Sequence, residues 1–328
     1  MINLSTNYMG LDLCSPIIAG SSGITNNLRN IIEIEKQGAG AIVLKSLFEE
    51  QILNEAHNTS SLGEGMGGYP EALDYIGQYT RHNAINEYLT LIRDAKKNVR
   101  IPIIASINCV SAAEWMDFAV RIQEAGADAI ELNIFILPSD PYRAPEENEA
   151  IYFKIIEQIL AKVTIPIAIK ISSYFSGLAK TAIQLSWSGI KGIVMFNRFY
   201  SPDIDIENIK VASGFTFSSS GDLAMPLRWI AMLSPRVQCD LCASSGADSG
   251  EAVVKLLLAG AKAVQTASIL YKHGITEIGE MNNFLHQWME RKGFNSLDQF
   301  VGKLSIDHVD NPAAFERVQF MKHFAGIE

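Results

Sequence analysis

The sequence predicts an α/β fold of the (β/α)8 barrel class, and three observations carry that prediction. Eight short apolar runs recur along the 328 residues, each followed by a longer stretch of helical character. Small residues or proline punctuate the return from helix to strand. No GxGxxG follows the first run, which argues against an open dinucleotide-binding sheet. Eight βα units favour closure into a barrel.

The runs are Ile17–Gly20, Ala41–Lys45, Ile103–Asn108, Ala129–Ile134, Ile167–Ser172, Gly192–Phe196, Cys239–Ser244 and Ala263–Ser268. Their apolar character on both faces suits buried parallel strands. Asn27–Gln37, Ala112–Ala125 and Glu251–Leu258 read as helices between them. Gly38, Gly126 and Gly260 stand just past helices, where glycine supplies a left-handed cap. Pro102 and Pro166 stop helices and start extended chain. Two connections, Ser46–Ile85 and Asn197–Met225, are too long for plain turns and belong at the C-terminal mouth, where barrels do chemistry. The tail after Gly293 is less regular and is expected to cover the outside. One domain over residues 1–328 is expected.

Composition narrows the partners. With 27 basic and 36 acidic residues the net charge is −9, the wrong sign for nucleic acid or an anionic membrane. No apolar run reaches the roughly 20 residues of a spanning helix, and the N-terminus lacks a signal-peptide pattern, so a cytoplasmic protein is expected. Cys14, Cys109, Cys239 and Cys242 are few and scattered, as in a reducing compartment. Cys239 and Cys242, three apart on an apparent strand, would face opposite sides, so no metal site is expected there. The six histidines show no metal spacing, and no GxSxG elbow appears.

Three groups of residues could carry chemistry. Lys45 and Lys170 end or interrupt apolar strands, so each needs an anionic partner: either a structural carboxylate or a bound anion. Ser244-Ser245-Gly246-Ala247-Asp248 and Thr266-Ala267-Ser268 end the seventh and eighth runs, where barrels hold phosphate on backbone N–H groups; alternatively Asp248 simply caps the next helix. Asn108, Asn133 and Asn197 end three strands and offer donors and acceptors to a planar, amide-rich ligand, although each alone is also an ordinary turn residue.

Taken together and in order, these segments resemble the dihydroorotate dehydrogenase family of flavin barrels. Leu4 to Ile17 is similar to that family's leading hairpin, and it runs into Ala19-Gly20. Lys45-Ser46 is similar to its strand-two Lys-Ser, Glu131-Leu132-Asn133 to its glutamate/serine–leucine–asparagine strand, and Lys170 to its strand-five lysine. Ser245-Gly246 and Ala267-Ser268 stand where the family holds phosphate. The resemblance implies flavin mononucleotide (FMN) at the mouth, bound by Ala19, Gly20, Lys45, Ser46, Asn108, Asn133, Lys170, Asn197, Ser245, Gly246, Ala267 and Ser268. Lys170 would face the electron-rich edge of the flavin and Lys45 the ring and substrate. It also implies oxidation of dihydroorotate in pyrimidine biosynthesis, and a homodimer.

The match departs from the family after the fourth run. Active members place cysteine or serine there to take a proton from the substrate. Here Asn133-Ile134-Phe135-Ile136-Leu137-Pro138-Ser139 puts Ile136 at that position, and isoleucine accepts no proton. Ser139 is the better substitute and Ser111 the other. The loop Gly65 to Glu71 lacks the family's asparagines, and Asn197 is followed by an unexpected Arg198. The expectation is therefore an FMN-dependent oxidoreductase on a small cyclic or carboxylate substrate, with Lys45 and Ser139 catalytic. Two alternatives stay open: flavin binding without turnover, or a flavin-free barrel for phosphorylated metabolites, a lyase or isomerase with Lys170 as a Schiff-base lysine.

Overall fold

The computed structural model describes residues 2–48, 70–109, 115–198, 202–214 and 217–316. Eight parallel strands close into a ring: β3 (Ile17–Ala19), β4 (Ala41–Val43), β6 (Ile103–Cys109), β7 (Ala129–Ile134), β8 (Ile167–Ile171), β9 (Gly192–Met195), β12 (Asp240–Ser244) and β13 (Ala263–Thr266). Pairing of β13 with β3 and of β4 with β6 completes the circle. A short β5 (Leu47–Phe48) extends the rim on β6. The helices α1 (Leu28–Lys36), α2 (Pro70–Asn98), α3 (Trp115–Glu124), α4 (Pro145–Leu160), α5 (Leu178–Ser186), α6 (Ala224–Leu233) and α7 (Gly250–Ala259) surround it. Gly38, Gly126 and Gly260 adopt positive φ after α1, α3 and α7, as their places in the sequence require.

The strand bounds correct the expected ones at their ends. Cys239 precedes β12, Lys45 lies two residues beyond β4, and Ser268 opens the short α8 (Ser268–His273) rather than closing β13. Within the connection expected over Ser46–Ile85, residues 70–85 form the first half of α2; Gly77 and its aromatic and β-branched neighbours obscure the helical pattern there. The second, Asn197–Met225, holds a hairpin, β10 (Pro202–Asp205) and β11 (Lys210–Ser213), and a 3-10 turn over Ser220–Leu223. Ser111, residues 65–69 of the loop after β5 and the start of the helix expected over Ala112–Ala125 lie outside the described residues.

Barrel closure leaves an interior that side chains must fill. Five of the lower inward positions are small, Ala41, Ala129, Ala168, Cys242 and Ala263, beside Ile18, Val43, Ile104 and Val194. The leading hairpin fills the space. Its strands β1 (Thr6–Tyr8) and β2 (Leu11–Leu13) pair antiparallel, and they join through Met9-Gly10, both at positive φ, the two-residue turn that matches strand twist. Tyr8, Met9 and Leu13 enter the barrel floor and are at most 2% exposed. Asp240 Oδ2 accepts from the Met9 N–H at 2.7 Å. At Gly192 a Cβ would stand 2.9 Å from the Tyr8 hydroxyl, so β9 needs glycine where the ring lies.

Outside, the described part of the tail, to residue 316, packs against the helices. After α9 (Glu277–Lys292), Trp288, Phe294 and Phe300 form an aromatic cluster. Gly302 and Ile306 donate backbone N–H groups to Leu257 and Ala231, which straps the tail over α7 and α6.

The plug generates a stability prediction. Tyr8→Ala empties the floor of its largest side chain and is expected to cost about 3–5 kcal/mol, as for other buried aromatic truncations. The measurement is the midpoint of urea unfolding; an unchanged midpoint would show the floor is held by other contacts.

Candidate functional site

Above the plug the inward positions turn polar. Register places Ser106 beside Glu131 and Ala168, then Asn108 beside Asn133 and Lys170 one layer higher, with Gln265 beside Ser244 across the ring. The mouth therefore has a polar floor resting on an apolar plug.

Lys170 is 7% exposed, Glu131 1% and Gln265 2%. Lys170 Nζ donates to Gln265 Oε1 at 2.7 Å and lies 3.6 Å from Glu131 Oε1. Gln265 Nε2 donates to Glu131 Oε2 at 2.5 Å. Of the two readings of Lys170 the carboxylate partner is present. Sequence reasoning did not single out Glu131 or Gln265 as site residues, although a charged or amide side chain at an inward position of an apolar strand was the signal.

Lys45 is half-buried at the mouth. Beside it, buried Ser46 joins a chain of hydroxyls: Ser21 Oγ at 3.0 Å, Ser106 Oγ at 2.6 Å, and Tyr88, whose hydroxyl accepts from the Ser106 N–H. Burial pushes the Tyr88 phenol above its ordinary value, so it stays neutral. Asn197 Nδ2 donates to Asn133 Oδ1 at 2.5 Å. Asn108 Oδ1 is buried with no hydrogen-bond partner among the described residues, the arrangement of an acceptor waiting for a donor.

The serine-rich loops converge. Ser245 and Gly246 have φ of +80° and +71°, and the N–H groups of Gly246 and Ala247 donate to no acceptor among the described residues. Gly20, following Ala19, donates its N–H to Thr266 O at 2.8 Å, which ties β3 to the end of β13. Ala267 and Ser268 follow, and Ser268 Oγ accepts from the Ser218 N–H at 3.0 Å. Lys272 Nζ donates to Ser218 O. Asp248 is not the helix cap: Ser249 Oγ accepts from the Ala252 N–H, and Asp248 accepts from Ser220 Oγ. The reason is position, since Ser249 directly precedes α7. Ser218, Ser220 and Lys272 were missed; the run Ser218-Ser219-Ser220-Gly221 carried the same small, polar signature as the loops chosen.

Ile136 is half-buried and, with Arg143, Asn148, Tyr152, Tyr174 and Phe175, lines a cavity of about 260 Å³. Burial pushes the Tyr152 phenol up to about 12. Ser139 is exposed, its N–H donating to Leu137 O. Arg198 is half-buried beside Asn197.

Known proteins resemble this chain in sequence. The family model described as dihydroorotate dehydrogenase matches residues 3–289. A catalytic subunit of dihydroorotate dehydrogenase B (NAD(+)) from Thermoplasma volcanium is 25% identical over 92% of this chain and 98% of its own. Its counterpart from Methanosarcina acetivorans is 24% identical over 90% and 94%. A chloroplastic dihydropyrimidine dehydrogenase (NADP(+)) from Arabidopsis thaliana is 22% identical over 92% of this chain and 76% of its own.

Gly246 offers a direct test of the loop geometry. A Cβ there would lie 2.2 Å from Leu223 N and 2.6 Å from its Cα, at a left-handed φ. Gly246→Ala is expected to cost about 2–5 kcal/mol, strain and overpacking together. Thermal unfolding of the variant measures it, and a wild-type midpoint would refute the contact.

Proposed function

The chain belongs to the dihydroorotate dehydrogenase family, and from that premise we propose one FMN-binding barrel domain over residues 1–328 that serves as an FMN-dependent oxidoreductase. The observation that carries the reading is a single mouth joining an amide-lined floor to a double loop: among the described residues Asn108 Oδ1 finds no donor and the N–H groups of Gly246 and Ala247 find no acceptor. A flavin ring carries an imide N–H that the first would take and a phosphate that the second would take. When bound, FMN supplies hydride acceptance.

The chain's own residues then divide the work. Ser245, Gly246, Ala267 and Ser268 hold the phosphate. Ala19, Gly20, Ser46, Asn108, Asn133 and Asn197 orient the ring. Lys170 places positive charge at the ring's electron-rich edge, and Lys45 faces ring and substrate. The substrate is a small ring of the dihydropyrimidine kind, with dihydroorotate the family default. Ile136 leaves no proton acceptor at the usual place; Ser139 is the hydroxyl this loop offers instead. Flavin binding without turnover on dihydroorotate is the second reading, and Ile136 favours it. A Schiff-base role for Lys170 is disfavoured, because its Nζ is held between Gln265 and Glu131 rather than presented as a free amine.

We place the protein in the cytoplasm as a homodimer. The hairpin β10–β11 leaves Ile204, Ile206, Ile209 and Val211 68–90% exposed, an apolar surface a second copy would cover. The negative net charge stands against nucleic-acid and anionic membrane partners. Among the described residues no helix is long and apolar enough to cross a membrane.

Two experiments test this reading. Added FMN should raise the unfolding temperature and co-purify as a yellow complex, as a ligand selective for the native state must; a colourless protein with no shift at saturating FMN would sink it. With FMN bound, dihydroorotate oxidation by the wild type should be slow, and Ile136→Cys should raise it by roughly 10²–10⁴-fold, the usual worth of a positioned base. Brisk wild-type turnover surviving Ser139→Ala would place the base elsewhere.

A further inference from the structure

The carboxylate beneath Lys170 lies below the mouth, where its partners are Lys170 and Gln265. Glu131 sits one inward layer below the lysine, in register with Ser106 and Ala168, while Lys170 is in register with Asn133 and Val194. Below Glu131 come the apolar floor and its plug. The carboxylate is 1% exposed. One oxygen accepts from Gln265; the other has no hydrogen-bond donor and faces the ammonium at 3.6 Å. A lysine facing an anionic ligand is satisfied by that ligand. A carboxylate buried behind it carries a desolvation cost of several kcal/mol and does something the lysine alone would not.

What it does follows from its direction. The pair is neutral as a whole and forms a dipole, with its cationic end toward the mouth and its anionic end toward the floor. Gln265 fixes both ends, accepting from Nζ and donating to the carboxylate, so Lys170 cannot swing toward one partner. In the low-dielectric interior, charges a few ångströms apart couple strongly. A negative charge developing on a ring above Lys170 therefore meets a partly cancelled cation.

We propose that Glu131 is a positioning residue that neutralises Lys170 from below and thereby holds the bound flavin's reduction potential down. The inference rests on the FMN reading with Lys170 at the ring. Glu131 touches neither flavin nor substrate; it acts through the lysine. Removing its charge leaves a full cation facing the ring, which favours the reduced, anionic flavin over the oxidised, neutral one.

The test is the midpoint potential of FMN-loaded protein, with the dissociation constant of oxidised FMN measured alongside. In Glu131→Gln the ratio of reduced-form to oxidised-form affinity should rise tenfold or more, about 30 mV or more for this two-electron couple. Lys170→Met should move the ratio the other way. Should Glu131→Gln not fold, Glu131→Ser, smaller and equally neutral, carries the same expectation. A merely structural carboxylate would leave the potential of the flavin-loaded Glu131 variants at the wild-type value, and that result overturns the inference. So does loss of folding or of flavin binding in both neutral variants, which would assign Glu131 to holding the barrel. A wild-type protein that takes up no FMN would instead defeat the cofactor reading itself.

Discussion

The site depends on a packing constraint at the opposite end of the barrel. Eight parallel strands close only if the space inside them is filled, and here five of the nine strand residues packed on the leading hairpin are alanine or cysteine. The leading hairpin supplies the missing volume through Tyr8, Met9 and Leu13. Because the floor is filled from outside, the inward positions above it are released from packing duty. They carry Ser106, Asn108, Glu131, Asn133, Lys170 and Gln265 instead of the layered aliphatic residues that usually fill such barrels.

Electrostatics then shape what the mouth can hold. Each buried polar group but a few is matched within the chain: Lys170 by Glu131 and Gln265, Asn133 by Asn197, Ser46 by Ser21 and Ser106. Among the described residues the exceptions are Tyr8 Oη at the floor, Ser22 Oγ, Glu131 Oε1, Gln158 Oε1 and, at the mouth, Asn108 Oδ1, together with the backbone N–H groups of Gly246 and Ala247 after β12.

Much of this was legible from residue order. Alternation of apolar runs with capped helices gave the barrel because the two periodicities, with glycine and proline between them, are local properties of the chain. The bounds of β7 came out to the residue, Ala129–Ile134, shortly after the glycine cap at Gly126. Glu131 and Gln265 were harder. Whether an inward polar residue meets a partner depends on register across strands more than 130 positions apart, and no local pattern encodes register. Asp248 shows the complementary difficulty. Two adjacent residues could each cap α7, and only the fold decides that Ser249 does while Asp248 is drawn to Ser220.

The plug has a consequence for biosynthesis. Met9 bonds to Asp240, a residue 231 positions later in the chain. A ribosome adding roughly 5–20 residues per second needs on the order of 10–50 s to make that distance. Through this interval the nascent chain carries Tyr8, Met9 and Leu13 without the ring that encloses them, and the half-built sheet carries unpaired edges. The order of synthesis thus delivers the stopper long before the vessel, leaving an early apolar segment for chaperones to shield until the last two strands emerge.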